Sequence, residues 1–277
     1  MSTLRDELSA GPLGHATGYP DTYDATLLFA VPRAPQRGEI GIAGALPFTG
    51  SDVWTAYEHT WLDPRGKPAI AIATFAVPAA SPAIVESKSV KLYLGSFAQS
   101  RFADADAVTG VIARDLSAAT GSAVNVVLTP PAAFAQQRLA PLDGDSLDEL
   151  PLATGTYEVE ASSLAAAGSV VTESLRTDLF RSVCPVTGQP DYASIAIGYR
   201  GPRIDRAGLL RYLVSYRCHA GFHEHCAERI FVDVMAACGC EALTIHARFT
   251  RRGGLDINPF RTNARLAVPA NVRTPRQ

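Results

Sequence analysis

The chain of 277 residues is poor in charge, since charged side chains make up 19% of it against about 25% in ordinary globular proteins. Its 25 basic and 27 acidic residues give a formal net charge of −2. Binding to nucleic acid through its phosphates requires an excess of clustered basic charge. The composition therefore argues against direct nucleic-acid binding, and the low charge predicts much interior or interface surface.

The chain also lacks a long apolar run. Its longest nearly unbroken apolar stretch, residues 69–80, is too short to span a bilayer and contains Pro78. The first twenty residues carry both charge signs and have no apolar core of the kind that a secretory signal needs. We therefore expect a cytoplasmic protein, in which the question is which of the five cysteines are reactive.

Common cofactor motifs are missing as well. The sequence contains neither GxGxxG nor GxxxxGK[ST], so neither a dinucleotide-binding Rossmann site nor a P-loop has support. The segment HEHCA, residues 223–227, begins like the zinc motif HExxH but has Ala227 at the position of the second histidine. A zinc protease of that type is excluded.

Two segments of the chain follow the same plan, the first from Val53 to about Leu128 and the second from about Leu175 to Phe249. Each begins with a period-two alternation and then turns at a Gly-x-Pro sequence. In the second, the alternation predicts one strand face shared by Leu175, Thr177, Leu179, Arg181 and Val183.

After the turn, each half has a β-rich run, two helical stretches and a final strand. Asp104 is a candidate N-cap in the first half, and Gly239 is a candidate C-cap behind a stripe of Cys226, Ile230 and Val234 in the second. The agreement in element order indicates a duplicated module.

This repeat predicts an α+β protein with antiparallel sheets that each carry two helices on one face. The other face of each sheet must be covered, so we expect an oligomer. We predict an N-terminal extension (1–45), a first module (46–130), a connecting segment (131–165) rich in Pro, Asp and Gly, and a second module (166–277).

Cys184 lies at the end of a predicted strand, in the sequence CPVTGQPD. Active groups favour such places because a rigid element holds them while the loop exposes them. A thiolate nucleophile needs a neighbouring acid or base, and Asp191 lies just across the turn. The alternative is a buried structural cysteine.

The second half is dense in groups that can bind metal: Cys218, His219, His223, His225, Cys226, Cys238 and Cys240. Zinc takes three or four such ligands in tetrahedral geometry. The spacings match no common zinc finger, which favours packing cysteines and surface histidines over a metal site.

Lysine is scarce, with only three in the chain, and two of them, Lys88 and Lys91, lie in the segment ESKSVK. These compact ammonium groups could meet phosphate or carboxamide oxygens. The segment also fits a helix start with Ser87 or Ser89 as the cap. Its buried face would then carry Val90, Leu94 and Phe97.

Five motifs in order give the chain a family resemblance: DTYD (21–24), ESKS (86–89), CPVTGQPD (184–191), FHE (222–224) and RRGGLDINP (251–259). With them the chain resembles the two-module form of the NADPH-dependent 7-cyano-7-deazaguanine reductases, the QueF family of nitrile reductases. The likeness covers almost the whole chain. Val90 and Phe260 depart from it, because bulkier aromatics are frequent there.

The resemblance implies a tandem tunnelling fold (T-fold) and a product that feeds queuosine synthesis for tRNA. We expect a homodimer, because a chain with two modules already contains half of a ring-like assembly. The resemblance also implies that Cys184 adds to the nitrile carbon as a covalent thioimide and that Asp191 is the acid that protonates the nitrogen. Substrate-binding residues would be Val85, Glu86, Ser87, His223 and Glu224. The residues that bind NADPH would be Ser87, Lys88, Arg252 and Gly253, and no metal is required.

Two other functions stay open from the residues. A zinc-dependent cyclohydrolase or pterin enzyme could share the fold, since fold does not determine function. A non-catalytic module that binds a purine is the second alternative, and the net charge of −2 speaks against its binding tRNA.

Overall fold

The computed structural model describes residues 18–155 and 157–277, which form two compact units. Unit 1 contains the described residues up to 39 together with 52–137 and 251–256. Unit 2 contains the described residues of 40–51, 138–250 and 257–277. Both units combine helices with antiparallel strand pairs, so the predicted α+β class is confirmed. Among the described residues, no helix is long and apolar enough to cross a membrane.

The strands are β1 (Ala30–Pro32), β2 (Thr49–Leu62), β3 (Pro68–Pro78), β4 (Ala83–Val85), β5 (Asn125–Thr129), β6 (Asp145–Ser146), β7 (Ala166–Val183), β8 (Pro190–Ile204), β9 (Ala242–Phe249) and β10 (Leu255–Thr262). The helices are α1 (Ala34–Glu39), α2 (Ser87–Gly95), α3 (Ala105–Thr120), α4 (Arg206–Ser215) and α5 (His223–Cys238). The predicted order of strand, strand, helix, helix, strand is present twice, with the short β4 added in the first half.

In unit 1 the strands lie in the order β5, β3, β2, and β1 pairs with β4 as a separate ribbon. Helix α3 begins at Asp104, whose carboxylate accepts a hydrogen bond from the backbone N–H of Ala107 at 2.8 Å, as predicted. Its buried face carries Val108, Ile112 and Leu116, all fully buried. This apolar stripe is what holds the helix in the core.

The cap of α2 differs from the prediction. The Glu86 carboxylate accepts hydrogen bonds from the backbone N–H groups of Lys88 at 2.5 Å and Ser89 at 2.8 Å. Neither Ser87 nor Ser89 is the cap, because both already lie inside the helix, where a side chain cannot reach forward to the unpaired N–H groups of the first turn. Val90, Leu94 and Phe97 are buried as predicted, but Phe97 lies beyond the end of α2 at Gly95.

In unit 2 the strands lie in the order β10, β9, β8, β7, β6. The long hairpin of β7 and β8 is antiparallel, and β6 pairs with β7 in parallel. Helix α5 buries Cys226, Ile230 and Val234, as predicted. It ends at Gly239, whose φ of 60° is a left-handed conformation that glycine adopts without strain.

A β-bulge in β7 overturns the predicted strand face. Thr177 pairs with Ile195 and Phe180 with Ala193, so β7 has one residue more than β8 between these pairs. Such an insertion moves the following side chains to the opposite face. Leu179 is therefore 47% exposed, while Phe180 is buried.

His59 of β2 is a buried histidine in unit 1. Its ring lies 5.6 Å from that of Trp61 and 5.1 Å from that of Phe97. Neither ring nitrogen has a hydrogen-bond partner among the residues that the structure describes. Burial lowers the pKa of His59 to about 4.

This environment predicts a pH-dependent effect of His59→Phe. The unfolded histidine binds a proton below its ordinary pKa of 6.5 and the folded one only below about 4, so the wild type loses stability as the pH falls through that window. The variant should therefore gain melting temperature over the wild type at pH 5 and gain less at pH 8. An equal gain at both pH values would show that packing alone is responsible.

Candidate active site

Cys184 begins the turn that joins β7 to β8. Its backbone N–H donates to the carbonyl of Gln189 at 2.8 Å, and its carbonyl accepts from the N–H of Gly188 at 3.0 Å. Gly188 has a φ of 68°, the left-handed conformation that this closed turn requires. The thiol is thereby held at the end of a long strand, with Cys184 buried to 7% exposure.

Asp191 lies on the other arm of the same hairpin, in register with Ser182. It is buried, and its Oδ1 lies 3.3 Å from Nε2 of His223. The His223 ring is stacked on that of Phe249, with a centroid distance of 3.8 Å and an angle of 10°. Nδ1 of His223 is buried without a hydrogen-bond partner among the described residues, so it can still accept or donate.

The connection between α4 and α5 is fixed to the end of β7. The N–H of Val183 donates to the carbonyl of His219 at 2.9 Å, and the N–H of Gly221 donates to the carbonyl of Val183 at 3.1 Å. These two bonds set where α5 begins. They bring His223 to Asp191 and bury Glu224 in the first turn of the helix.

Three of the other cysteines, Cys226, Cys238 and Cys240, are buried and are poor candidates for a nucleophile. Burial, together with the charges of Asp191 and Glu224, raises the pKa of the Cys226 thiol to about 12, although a hydrogen bond with Ser182 opposes the increase. Burial also raises the pKa of Cys238, to about 11, and that of Cys240. The thiolate is the reactive form of cysteine, so these three stay unreactive near neutral pH.

The residues of the second half that can bind metal do not converge on one point in the described part of the chain. In the described part of the chain, no group of three or more His, Cys, Asp or Glu side chains could hold a metal ion. His223 and Cys238 lie at opposite ends of α5, about 20 Å apart at 1.5 Å per residue. Burial lowers the pKa of His219 and of His225 to about 4, as in neutral core histidines.

In unit 1 the turn between β9 and β10 lies against α2. The N–H of Arg252 donates to the carbonyl of Leu255 at 2.9 Å, and Gly253 has a φ of 59°. A Cβ placed on Gly253 would lie 3.4 Å from Cδ and Cε of Lys91. The structure therefore brings the turn of Arg252 and Gly253 to the helix that carries Lys88 and Lys91.

Val85, Glu86 and Ser87 lie together where β4 leads into α2. Val85 pairs with Ala30 of β1, and the backbone N–H of Glu86 donates to the carbonyl of Phe29 at 2.8 Å. Burial raises the pKa of the Glu86 carboxyl, and the N–H groups of Lys88 and Ser89 oppose that increase. Its role as the cap of α2 is one that the sequence analysis missed.

Two further residues belong to these clusters: Phe249, which was not selected from the sequence, and Lys91, which was noted there beside Lys88 but is not among the residues that the resemblance implies. Phe249 is the last residue of β9, and nothing in its sequence context indicates that its ring stacks on His223. Lys91 had a visible signal, because it is one of only three lysines and follows Lys88 by one helical turn.

The burial of the cysteines predicts their order of alkylation. In the folded protein near neutral pH, the exposed Cys218 should react with iodoacetamide rapidly, whereas Cys226, Cys238 and Cys240 should react far more slowly. Peptide mass spectrometry measures each site, and guanidinium should make all of them reactive. Cys218→Ser is the control that removes the fast site. Alkylation of Cys226 as fast as that of Cys218 would contradict the prediction.

Two family models match this chain. The model described as nitrile reductase, 7-cyano-7-deazaguanine-reductase N-term, matches residues 19–128, and the one described as QueF-like protein matches residues 190–267. A solved structure, the archaeosine synthase QueF-Like in the apo form, is 18% identical and covers 36% of this chain and 99% of its own, with a TM-score of 0.32. That likeness is too weak to carry an argument.

Full-length relatives are much closer. The NADPH-dependent 7-cyano-7-deazaguanine reductase of Burkholderia vietnamiensis is 59% identical over 268 residues, which is 96% of this chain and 98% of that protein. The proteins of the same name from Burkholderia cenocepacia and Burkholderia multivorans are 58% identical, with the same coverage. The chain therefore belongs to the family of NADPH-dependent 7-cyano-7-deazaguanine reductases.

Proposed function

We propose that this protein is an oxidoreductase that reduces the nitrile of 7-cyano-7-deazaguanine to the 7-aminomethyl group with NADPH, a step of queuosine biosynthesis. The observation that carries the proposal is the hairpin of β7 and β8, which holds a buried thiol and a carboxyl-imidazole pair on its two arms. The near-complete alignment with relatives named for this activity supports it.

Cys184 is the proposed nucleophile. Its sulfur adds to the nitrile carbon, which forms a C–S bond, opens one π bond of the triple bond and leaves the nitrogen to take a proton. The product is a covalent thioimide, whose carbon accepts hydride far more readily than a nitrile does. Cys184 is the cysteine that the turn of this hairpin carries, across from Asp191.

Asp191 is the proposed acid that delivers the proton to the nitrile nitrogen. His223 lies 3.3 Å from the Asp191 carboxyl. This imidazole can hold the carboxyl proton by a hydrogen bond and can return a proton to Asp191 after the transfer. Once the thioimide carbon has been reduced, the C–S bond breaks, the thiolate of Cys184 leaves and an imine remains. A second reduction with a further proton yields the aminomethyl product.

Glu224 is proposed to hold the deazaguanine ring, with His223 beside it. A carboxylate can accept hydrogen bonds from both the ring N–H and the exocyclic amine of a guanine-like base, a bidentate pairing that discriminates strongly against other bases. We assign Val85, Glu86 and Ser87 to substrate binding as well. Because the Glu86 carboxylate caps α2, its contact with a ligand uses the remaining lone pairs.

Ser87, Lys88, Arg252 and Gly253 are the proposed NADPH-binding residues, and the geometry of unit 1 adds Lys91. NADPH supplies the two hydrides of the reaction. The cluster suits a phosphate-bearing cofactor, because it is basic and Gly253 keeps the backbone of the turn open beside Lys91.

The tandem T-fold is the proposed architecture, with a first module of residues 46–130, a second of 166–277 and a homodimer as the assembly. The element order that both halves share supports it. The N-terminal extension (1–45) and the connecting segment (131–165) complete this division.

The covalent step predicts a mass increase. When the purified protein is incubated with 7-cyano-7-deazaguanine without NADPH, intact mass spectrometry should show an addition equal to the nitrile's mass, because addition of the thiol releases nothing. Cys184→Ala should show none, and the matched control Cys218→Ala should be modified like the wild type. An adduct that persists in Cys184→Ala would reject the assignment.

Metal analysis of the purified protein tests the alternative function. Stoichiometric zinc together with no NADPH oxidation would favour a cyclohydrolase.

The cofactor assignment predicts a selective effect of Lys88→Ala. Loss of a charge-assisted hydrogen bond to phosphate costs roughly 1.5–3 kcal/mol, which corresponds to a rise of about tenfold or more in the KM for NADPH. The third lysine, Lys67, lies in the turn between β2 and β3, and Lys67→Ala is the matched control. Equal effects of the two substitutions would show that net charge, and not a site, is responsible.

A further inference from the structure

The Gln277 side chain is buried beside the end of β9. Its Nε2 donates to the backbone carbonyl of Phe249 at 2.8 Å and to Oδ1 of Asn258 at 2.8 Å. Its Oε1 accepts from Nε of Arg248 at 2.9 Å and from the N–H of Thr274 at 3.0 Å. Both donors and both lone pairs of the amide are thus used, which is what a buried amide needs to be stable in one orientation.

The segment around Gln277 is held in place by further bonds in the same unit. Arg248 donates from Nη1 to Oδ1 of Asn271 at 2.7 Å, and Arg273 donates from Nη2 to the backbone carbonyl of Gln277 at 2.6 Å. Such a connected polar network fixes a unique geometry, because each member left alone would be a buried polar group without compensation.

One contact links this network to the candidate site. On β9, His246 pairs with Phe260 of β10. Three residues further along β9, the backbone carbonyl of Phe249 accepts the hydrogen bond from Gln277. The Phe249 ring carries the stacked imidazole of His223 at 3.8 Å, and His223 contacts Asp191 at 3.3 Å. The position of the imidazole therefore depends on where the end of β9 is held.

We propose that Gln277 is a positioning residue, which acts through Phe249 to set the orientation of the His223 ring against Asp191. The inference rests on the proposed function, in which His223 helps to bind the substrate and Asp191 donates the proton. It extends that site by a segment that none of the five sequence motifs includes. Loss of the amide would leave the Phe249 carbonyl and the Arg248 guanidinium short of a partner, and the end of β9 would shift.

The test compares Gln277→Ala and the near-isosteric Gln277→Met with Arg276→Ala. Arg276 is the exposed neighbour, and it donates to the backbone carbonyl of Asp178 and not to that of Phe249. The readout is the NMR spectrum of protein with isotope-labelled histidine, in which the ring current of Phe249 should shift the resonance of His223. The spectrum of His223→Gln, which lacks this resonance, assigns it. Both Gln277 variants should move this resonance, and Arg276→Ala should leave it in place.

The kinetic readout accompanies the spectrum. We expect kcat/KM for the nitrile to fall roughly tenfold or more in both Gln277 variants, because a misplacement of about 1 Å at a reacting centre can cost about 100-fold. We also expect a changed pH profile of kcat, and neither effect in Arg276→Ala. Gln277→Met keeps the volume, so it decides the question if Gln277→Ala does not fold.

An unmoved His223 resonance with kcat/KM within twofold of the wild type would overturn the proposal. Equal losses in Arg276→Ala would also overturn it, since they would reflect general loosening of the segment. The resonance is read without substrate, so failure of the proposed reaction in the wild type is distinguishable from failure of this inference.

Discussion

The end of β7 is the constraint on which the candidate site depends. Val183 pairs with Pro190 on β8 and also exchanges backbone hydrogen bonds with His219 and Gly221. Val183 thus holds the end of the hairpin through Pro190 and holds the segment that leads into α5 through His219 and Gly221. Cys184 follows directly, Asp191 follows the paired Pro190, and His223 follows two residues after Gly221. Backbone hydrogen bonds, which among substitutions only proline removes directly, set the placement of these groups.

Burial then distinguishes groups of the same chemical type. Three cysteines are held as thiols because burial raises the pKa of each, and they serve packing. Four histidines, namely His59, His219, His225 and His246, have a pKa lowered by burial, so they stay neutral at physiological pH. His223 differs from them in that it meets a carboxylate and a stacked aromatic ring. The proposed chemistry is assigned to Cys184, Asp191 and His223, which lie together at the end of the hairpin and the start of α5.

Much of the fold follows from local patterns in the chain. The order of elements, the cap at Asp104 and the left-handed Gly239 depend on residues that are close in sequence, so they could be predicted. The bulge after Thr177 could not, because it depends on how β7 pairs with a strand that follows later. The motif residues of the candidate site were selected by resemblance. The stack on Phe249 and its support by Gln277 join distant parts of the chain and carry no local pattern.

In the proposed reaction a nitrile is reduced to an amine through a covalent adduct on Cys184. The most direct test is the stoichiometry of the reaction, with NADPH oxidation followed by absorbance and the product quantified by mass spectrometry. Four electrons separate a nitrile from an amine, so we expect two NADPH to be oxidised for each 7-aminomethyl-7-deazaguanine formed, and none with Cys184→Ala. NADPH oxidation in a one-to-one ratio, or turnover that survives in Cys184→Ala, would contradict it.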